Sequence, residues 1–175
     1  MVITQGAGIG TYRLNKETAY TMVKRALDLG YRHIDTAKLY KNEESVGRAI
    51  RDSGVPRNDI FLTTKIDMMD IRKLKIIEAT ERSLSLLGTH IDLLLLHKVT
   101  DNYVEAWNLL NETHKLMGDR IKNIGVSNFR ENELASLDPL PKYNQIELSP
   151  FLTRESLVEF CREQDIHVIA HSSLA

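Results

Sequence analysis

Short apolar runs alternate with longer segments of helical period along the whole chain, and the spacing predicts an element for each. After a first apolar stretch over residues 7–12, Asn15 is placed to cap a helix. Its inner face is Ala19, Met22, Val23, Ala26 and Leu27, and Gly30 closes it. The run YRHID (31–35) predicts a second strand, and Val46, Ala49 and Ile50 a second helix that stops near Gly54 and Pro56. IFLTTK (60–65) predicts a third strand. Asp70 is then placed to cap one long helix through Leu74, Ile77, Leu84 and Leu87 to Gly88. IDLLLLH (91–97) is almost uninterrupted apolar sequence, the composition of a strand buried on both faces of a parallel sheet. The remaining units are a helix over 104–117, a strand over 121–128, a short helix near Leu134, and a strand over 143–147. A helix over 153–163 and a strand over 166–171 complete the series.

The reading is seven strands with six helices between them in one domain, residues 1–175. Strand spacings of about 20 to 30 residues suit right-handed βαβ units. Both the closed (β/α)8 barrel and the open doubly wound sheet fit, and both gather their sites at the C-terminal ends of the strands. Those ends read Asp35, Lys65, His97, Ser127 with Asn128, Gln145, and His171 with Ser172. Singly, each is an ordinary polar strand end. In a barrel they would form one ring around one cavity, where an acid, an amine, an imidazole and several amides converge on a small molecule. Tyr40 follows Asp35 by five residues. A phenol becomes a useful acid when a cation stabilises its phenolate, and Lys65 is placed to be that cation. Asp35 would hold Lys65 charged and oriented, His97 would hydrogen-bond a carbonyl oxygen, and the set reads as carbonyl reduction.

Composition narrows the partners. Twenty-three Lys and Arg against 24 Asp and Glu, with 42% apolar residues, leave no basic stripe for nucleic acid and no span of membrane length. The opening residues lack the basic and apolar regions of a secretory leader, and one cysteine, Cys161, cannot form an internal disulfide; a reducing compartment, the cytoplasm, is expected. The glycines at 6, 8 and 10 are spaced GxGxG rather than GxGxxG, so they predict a strand that allows close backbone approach and not a dinucleotide loop. The six histidines do not form a spaced ligand set with carboxylates, so no metal site is expected. Trp107 shares a helical face with Leu110 and reads as core.

The segment GYRHIDTAKLYKNEESVG (30–47) closely resembles the signature of the aldo-keto reductases. FLTTK, SLSLLGTHIDLLLLH, IGVSNF, NQIELSP and HVIAHSSLA follow in that family's order. The resemblance implies a (β/α)8 TIM-barrel, NADPH bound in extended form, and hydride transfer to a small aldehyde or ketone. It places the catalytic set on Asp35, Tyr40, Lys65 and His97, with Tyr40 as proton donor. Cofactor contacts fall on Ser127, Asn128 and Gln145, with His171 and Ser172 at the end of the seventh strand, and Tyr12 falls where the family often has a tryptophan against the substrate. Members of the family continue through an eighth strand and two more helices that carry the basic motif for the adenosine 2′-phosphate. This chain is accordingly expected to be a C-terminally truncated, incomplete barrel with open edges: either a partner chain covers them in a homo-oligomer, or the chain is a fragment, or the sheet rearranges. His171 replaces a stacking tyrosine and Lys98 an aromatic after the catalytic histidine. These departures set a second reading, a weak or inactive relative acting as a binding or structural subunit, beside the NADPH-dependent reductase.

Overall fold

The computed structural model describes residues 6–174. The alternation becomes one seven-stranded, wholly parallel sheet in the order of the chain: β1 (Ile9–Gly10), β2 (His33–Asp35), β3 (Phe61–Ile66), β4 (Leu93–Leu96), β5 (Ile124–Ser127), β6 (Tyr143–Glu147) and β7 (His167–His171). Each step is a neighbour-to-neighbour crossover, so the sheet curls in one sense and presents a concave and a convex face. Side chains alternate between the faces along each strand. Phe61, Leu93 and Leu95, with Tyr143 and Ile169, pack as a small apolar cluster on the concave side. Their alternates Leu62, Leu94, Leu96 and Val126 belong to the main core beneath the helices. All four residues of β4 are buried, as the continuous apolar run requires.

The helices are α1 (Lys16–Asp28), α2 (Glu43–Asp52), α3 (Met68–Arg72), α4 (Ile76–Leu87), α5 (Tyr103–Met117), α6 (Glu131–Ala135) and α7 (Glu155–Glu163). Asn15 caps α1 by accepting from the Thr18 amide at 2.9 Å. Trp107 on α5 lies in the core, and its indole N–H donates to the Pro139 carbonyl at 2.7 Å. The predicted helix from Asp70 to Gly88 is two helices, which makes seven among the described residues where six were expected. Asp67, the first residue after β3, is the cap: its carboxylate accepts from the Met69 and Asp70 amides at 2.7 and 3.3 Å. Asp70 falls inside the first turn and is held by Lys38 and Arg82 instead. The chain then leaves the helical region at Leu74, whose φ of 53° is left-handed, before α4 begins.

The N-terminal rim of the sheet is braced by Arg57, whose guanidinium donates to Thr89, to the Ile60 and His90 carbonyls and to the Asp92 carboxylate at 2.6–2.8 Å. A rim fixed in this way leaves the opposite, C-terminal rim free to carry function. Among the described residues β1 and β7 are each paired on one side only, and no helix is long and apolar enough to cross a membrane.

Gly47 lies where α2 crosses α4, and a β-carbon built there would stand 2.2 Å from the Leu87 carbonyl oxygen. Gly47→Ala should therefore destabilise the fold by roughly 1–3 kcal/mol, although alanine is the better helix former. Urea unfolding checks this; an unchanged or raised midpoint would show that the two helices separate freely.

Candidate active site

The polar ends of the strands meet on the concave face. β2 ends at Asp35, the Thr36 amide continues the ladder to the Thr63 carbonyl at 2.9 Å, and the chain then folds into a single 3₁₀ turn, Lys38–Tyr40. The turn aims Tyr40 back over β3. Lys65, two residues beyond the Asp35 partner Thr63 in register, is 2% exposed. Its ammonium donates to Asp35 Oδ1 at 2.5 Å, to the Thr36 carbonyl at 3.1 Å and to Tyr40 Oη at 3.4 Å. An ammonium so deeply placed is tolerable only with such partners. The second Asp35 oxygen accepts from Gln145 Nε2 at 2.7 Å, a contact across 110 residues of sequence that the curl of the sheet makes possible.

Three rings line the mouth. The Tyr40 ring lies 5.8 Å from the His97 ring, edge to face, and 5.1 Å from that of Tyr12, which is 59% exposed. Burial raises the Tyr40 phenol above its ordinary value of 10.0 and outweighs the opposing pull of Lys65, so the cation limits the rise rather than producing the acid shift read from sequence. The His97 imidazole is lowered to about 4, by burial first and by the Lys65 charge second. Its Nδ1 is buried with no hydrogen-bond partner among the described residues. A neutral ring there carries its proton on Nε2, since a bare acceptor costs less than a bare donor.

A second group sits at the ends of β5, β6 and β7. Asn128, at a left-handed φ of 62°, donates from Nδ2 to the His97 carbonyl at 3.3 Å and to Ser127 Oγ at 3.0 Å. Ser127 Oγ in turn donates to the Gln145 carbonyl at 3.0 Å. Because the Asn128 nitrogen is donating, its oxygen accepts, and the His171 Nε2–H supplies that bond at 3.0 Å. His171 Nδ1 is left to accept from Ser172 Oγ at 3.1 Å. Asp35, Tyr40, Lys65 and His97 thus form one cluster with Tyr12 at its edge. Ser127, Asn128, Gln145, His171 and Ser172 form an adjoining one, joined to the first through Gln145.

Sequence reasoning missed the ionic clamp beneath Tyr40. Lys38, inside the 3₁₀ turn, bridges Asp67 at 3.0 Å and also Asp70, and Arg82 of α4 holds the same Asp70 at 2.9 Å. Hydrogen bonds from Lys38 and from two backbone amides carry the Asp67 carboxyl below its ordinary value of 3.8, although burial opposes them. No local pattern marks these residues, because their pairing is fixed by how α3 and α4 pack on the strand ends.

Comparison with known proteins agrees with this architecture. The profile of the aldo/keto reductase family matches residues 4–175. Aldehyde reductase YPR1 of Saccharomyces cerevisiae is 38% identical over 94% of this chain, which spans 63% of that protein. A glycerol 2-dehydrogenase (NADP(+)) from the same organism is 36% identical over 95% of the chain, covering 64% of its own length. The crystal structure of an aldo/keto reductase from Brucella melitensis superposes with a TM-score of 0.89 at 40% identity, covering 95% of this chain and 68% of that one. The chain thus spans somewhat less than two thirds of these curated relatives, and with the family profile matched over residues 4–175 it belongs to the aldo/keto reductase family.

Proposed function

We propose that the site reduces a small aldehyde or ketone to the alcohol with NADPH, in a reducing compartment such as the cytoplasm. The observation that carries this reading is the buried Lys65 ammonium held between Asp35 and the Tyr40 hydroxyl, with a neutral His97 beside them. The neighbouring polar set fits a nicotinamide carboxamide: the Ser127 hydroxyl and the Asn128 and Gln145 amides offer both donors and acceptors to a group that needs both. His171 and Ser172 would close that side. A reduced nicotinamide bound there supplies the hydride. Tyr40, kept protonated by burial, donates its proton to the carbonyl oxygen as charge develops on it. Lys65 stabilises the phenolate that remains, and Asp35 keeps the Lys65 ammonium aimed. The His97 Nε2–H orients the carbonyl oxygen toward Tyr40, and Tyr12 shapes the open side. That a yeast relative bears the name of an NADP(+) enzyme supports the choice of phosphorylated cofactor.

Tyr40→Phe should lower NADPH-dependent reduction of a short aldehyde such as glyceraldehyde by about 10²-fold or more while NADPH binding, followed by fluorescence, stays within a factor of a few. Undiminished turnover would remove Tyr40 from the proton-donor role. NADPH binding without turnover in the unsubstituted chain would favour the binding-subunit reading.

A pH effect follows from His97. Its folded value of about 4 lies below the ordinary 6.5, so the unfolded chain takes up the proton first. The stabilisation is complete above about pH 6.5 and is lost as pH falls toward 4. Side-chain NMR should show His97 titrating near the lower value; titration near the ordinary one would mean that the ring is not desolvated.

The open strand edges and the Phe151 ring, 92% exposed, support self-association of this chain. Light scattering should give a dimer or larger assembly. A stable monomer at high concentration would show that the edges are covered within one copy.

A further inference from the structure

Asn42 is the residue just before α2, where an asparagine ordinarily turns back to bond the first helical amides. It makes no such bond. Its side chain is 1% exposed and reaches away from the helix into two other segments. Nδ2 donates to the Thr11 carbonyl at 2.9 Å and the Leu14 carbonyl at 3.1 Å. Oδ1 accepts from Thr36 Oγ1 at 3.0 Å and Thr11 Oγ1 at 3.3 Å. Two donors and two acceptor sites are the full capacity of a side-chain amide, so this one is saturated.

The anchored segments are those that carry the two tyrosines of the mouth. Tyr12 sits between Thr11 and Leu14, and Tyr40 lies between Thr36 and Asn42. Thr11 is itself tied to the end of β2, its amide donating to the Asp35 carbonyl at 2.9 Å. Between Tyr40 and Asn42, Lys41 takes a left-handed φ of 59°, a conformation that a non-glycine residue holds only when its surroundings impose it. One amide therefore sets the separation of the Tyr12 and Tyr40 rings and the reach of the Tyr40 hydroxyl toward Lys65.

We propose that Asn42 is a positioning residue for proton transfer: it holds Tyr40 at its distance from Lys65 through the Thr11, Leu14 and Thr36 contacts. The proposal rests on the reading of Tyr40 as proton donor. Tyr40 is faced by Asp35 from β2, Lys65 from β3, His97 after β4 and Tyr12 from the loop after β1. Of these, Lys65 favours the phenolate. Loosening the turn removes that influence and moves the phenol to higher pH.

The test uses Asn42→Asp, which keeps the shape and deletes both donated bonds, and Thr36→Val, which deletes one accepted bond and leaves the rest. Tyr40 is titrated by phenolate absorbance as the difference between each variant and the same variant carrying Tyr40→Phe. Glyceraldehyde kinetics with NADPH and a thermal melt are run on the same samples. The expected result is a titration displaced to higher pH in both variants, more in Asn42→Asp. The kcat of Asn42→Asp should fall by about 10- to 100-fold while KM changes much less, as misplacement of a catalytic group gives. A folded Asn42→Asp with the parent titration and the parent kcat overturns the proposal. If Asn42→Asp does not fold, Thr36→Val decides alone, and an unmoved titration there overturns it. If the parent shows no turnover, the reductase reading fails, whereas the phenol titration still reports whether Asn42 sets the Tyr40 environment.

Discussion

One buried ammonium organises the concave face. Lys65 has almost no contact with solvent, and its charge is tolerable because Asp35, the Thr36 carbonyl and the Tyr40 hydroxyl surround it. The same charge reaches three rings nearby: it restrains the rise of the Tyr40 phenol and helps keep His97 and His171 neutral. A cation, a protonated phenol and a neutral imidazole are thereby maintained within one small volume. Burial favours the uncharged form of both rings, raising the phenol and lowering the imidazole, whereas the Lys65 charge lowers both.

Placing that ammonium is the task of the fold. Register puts Lys65 one pleat beyond Asp35 on adjacent strands, and the curl of the sheet brings Gln145 from β6 to the free Asp35 oxygen. The opposite rim is fixed by Arg57 and Asp92, and the turn bearing Tyr40 is held from below by Lys38 with Asp67 and Asp70. The N-terminal rim is thus braced by the Arg57–Asp92 pair, while the C-terminal rim carries the polar groups gathered at the site.

Much of this was legible in the chain. The fully buried β4 follows from LLLL, the Asn15 cap from its place before a helical stripe, and the ring of polar strand ends from the βα period. What stayed hidden depended on packing rather than pattern. Leu74 keeps the helical spacing yet marks a break, because Asp67 offers a cap as soon as β3 ends and the chain re-enters a helix two residues later. Asp70 has the composition of a cap, but its partners Lys38 and Arg82 are brought to it by separate elements. The direction of the Tyr40 shift required knowing its burial, which residue types alone do not give. Asn42 stands in an ordinary capping position, and only the folded loops show that its amide is turned elsewhere.

The measurement that tests the central claim most directly replaces Lys65 by methionine, which fills similar volume without charge, and follows NADPH oxidation by the purified chain with glyceraldehyde. The account predicts that the parent chain consumes NADPH and that Lys65→Met, still melting cooperatively, does not. Equal rates in the two proteins would contradict it, since the phenolate left on Tyr40 would then need no cation.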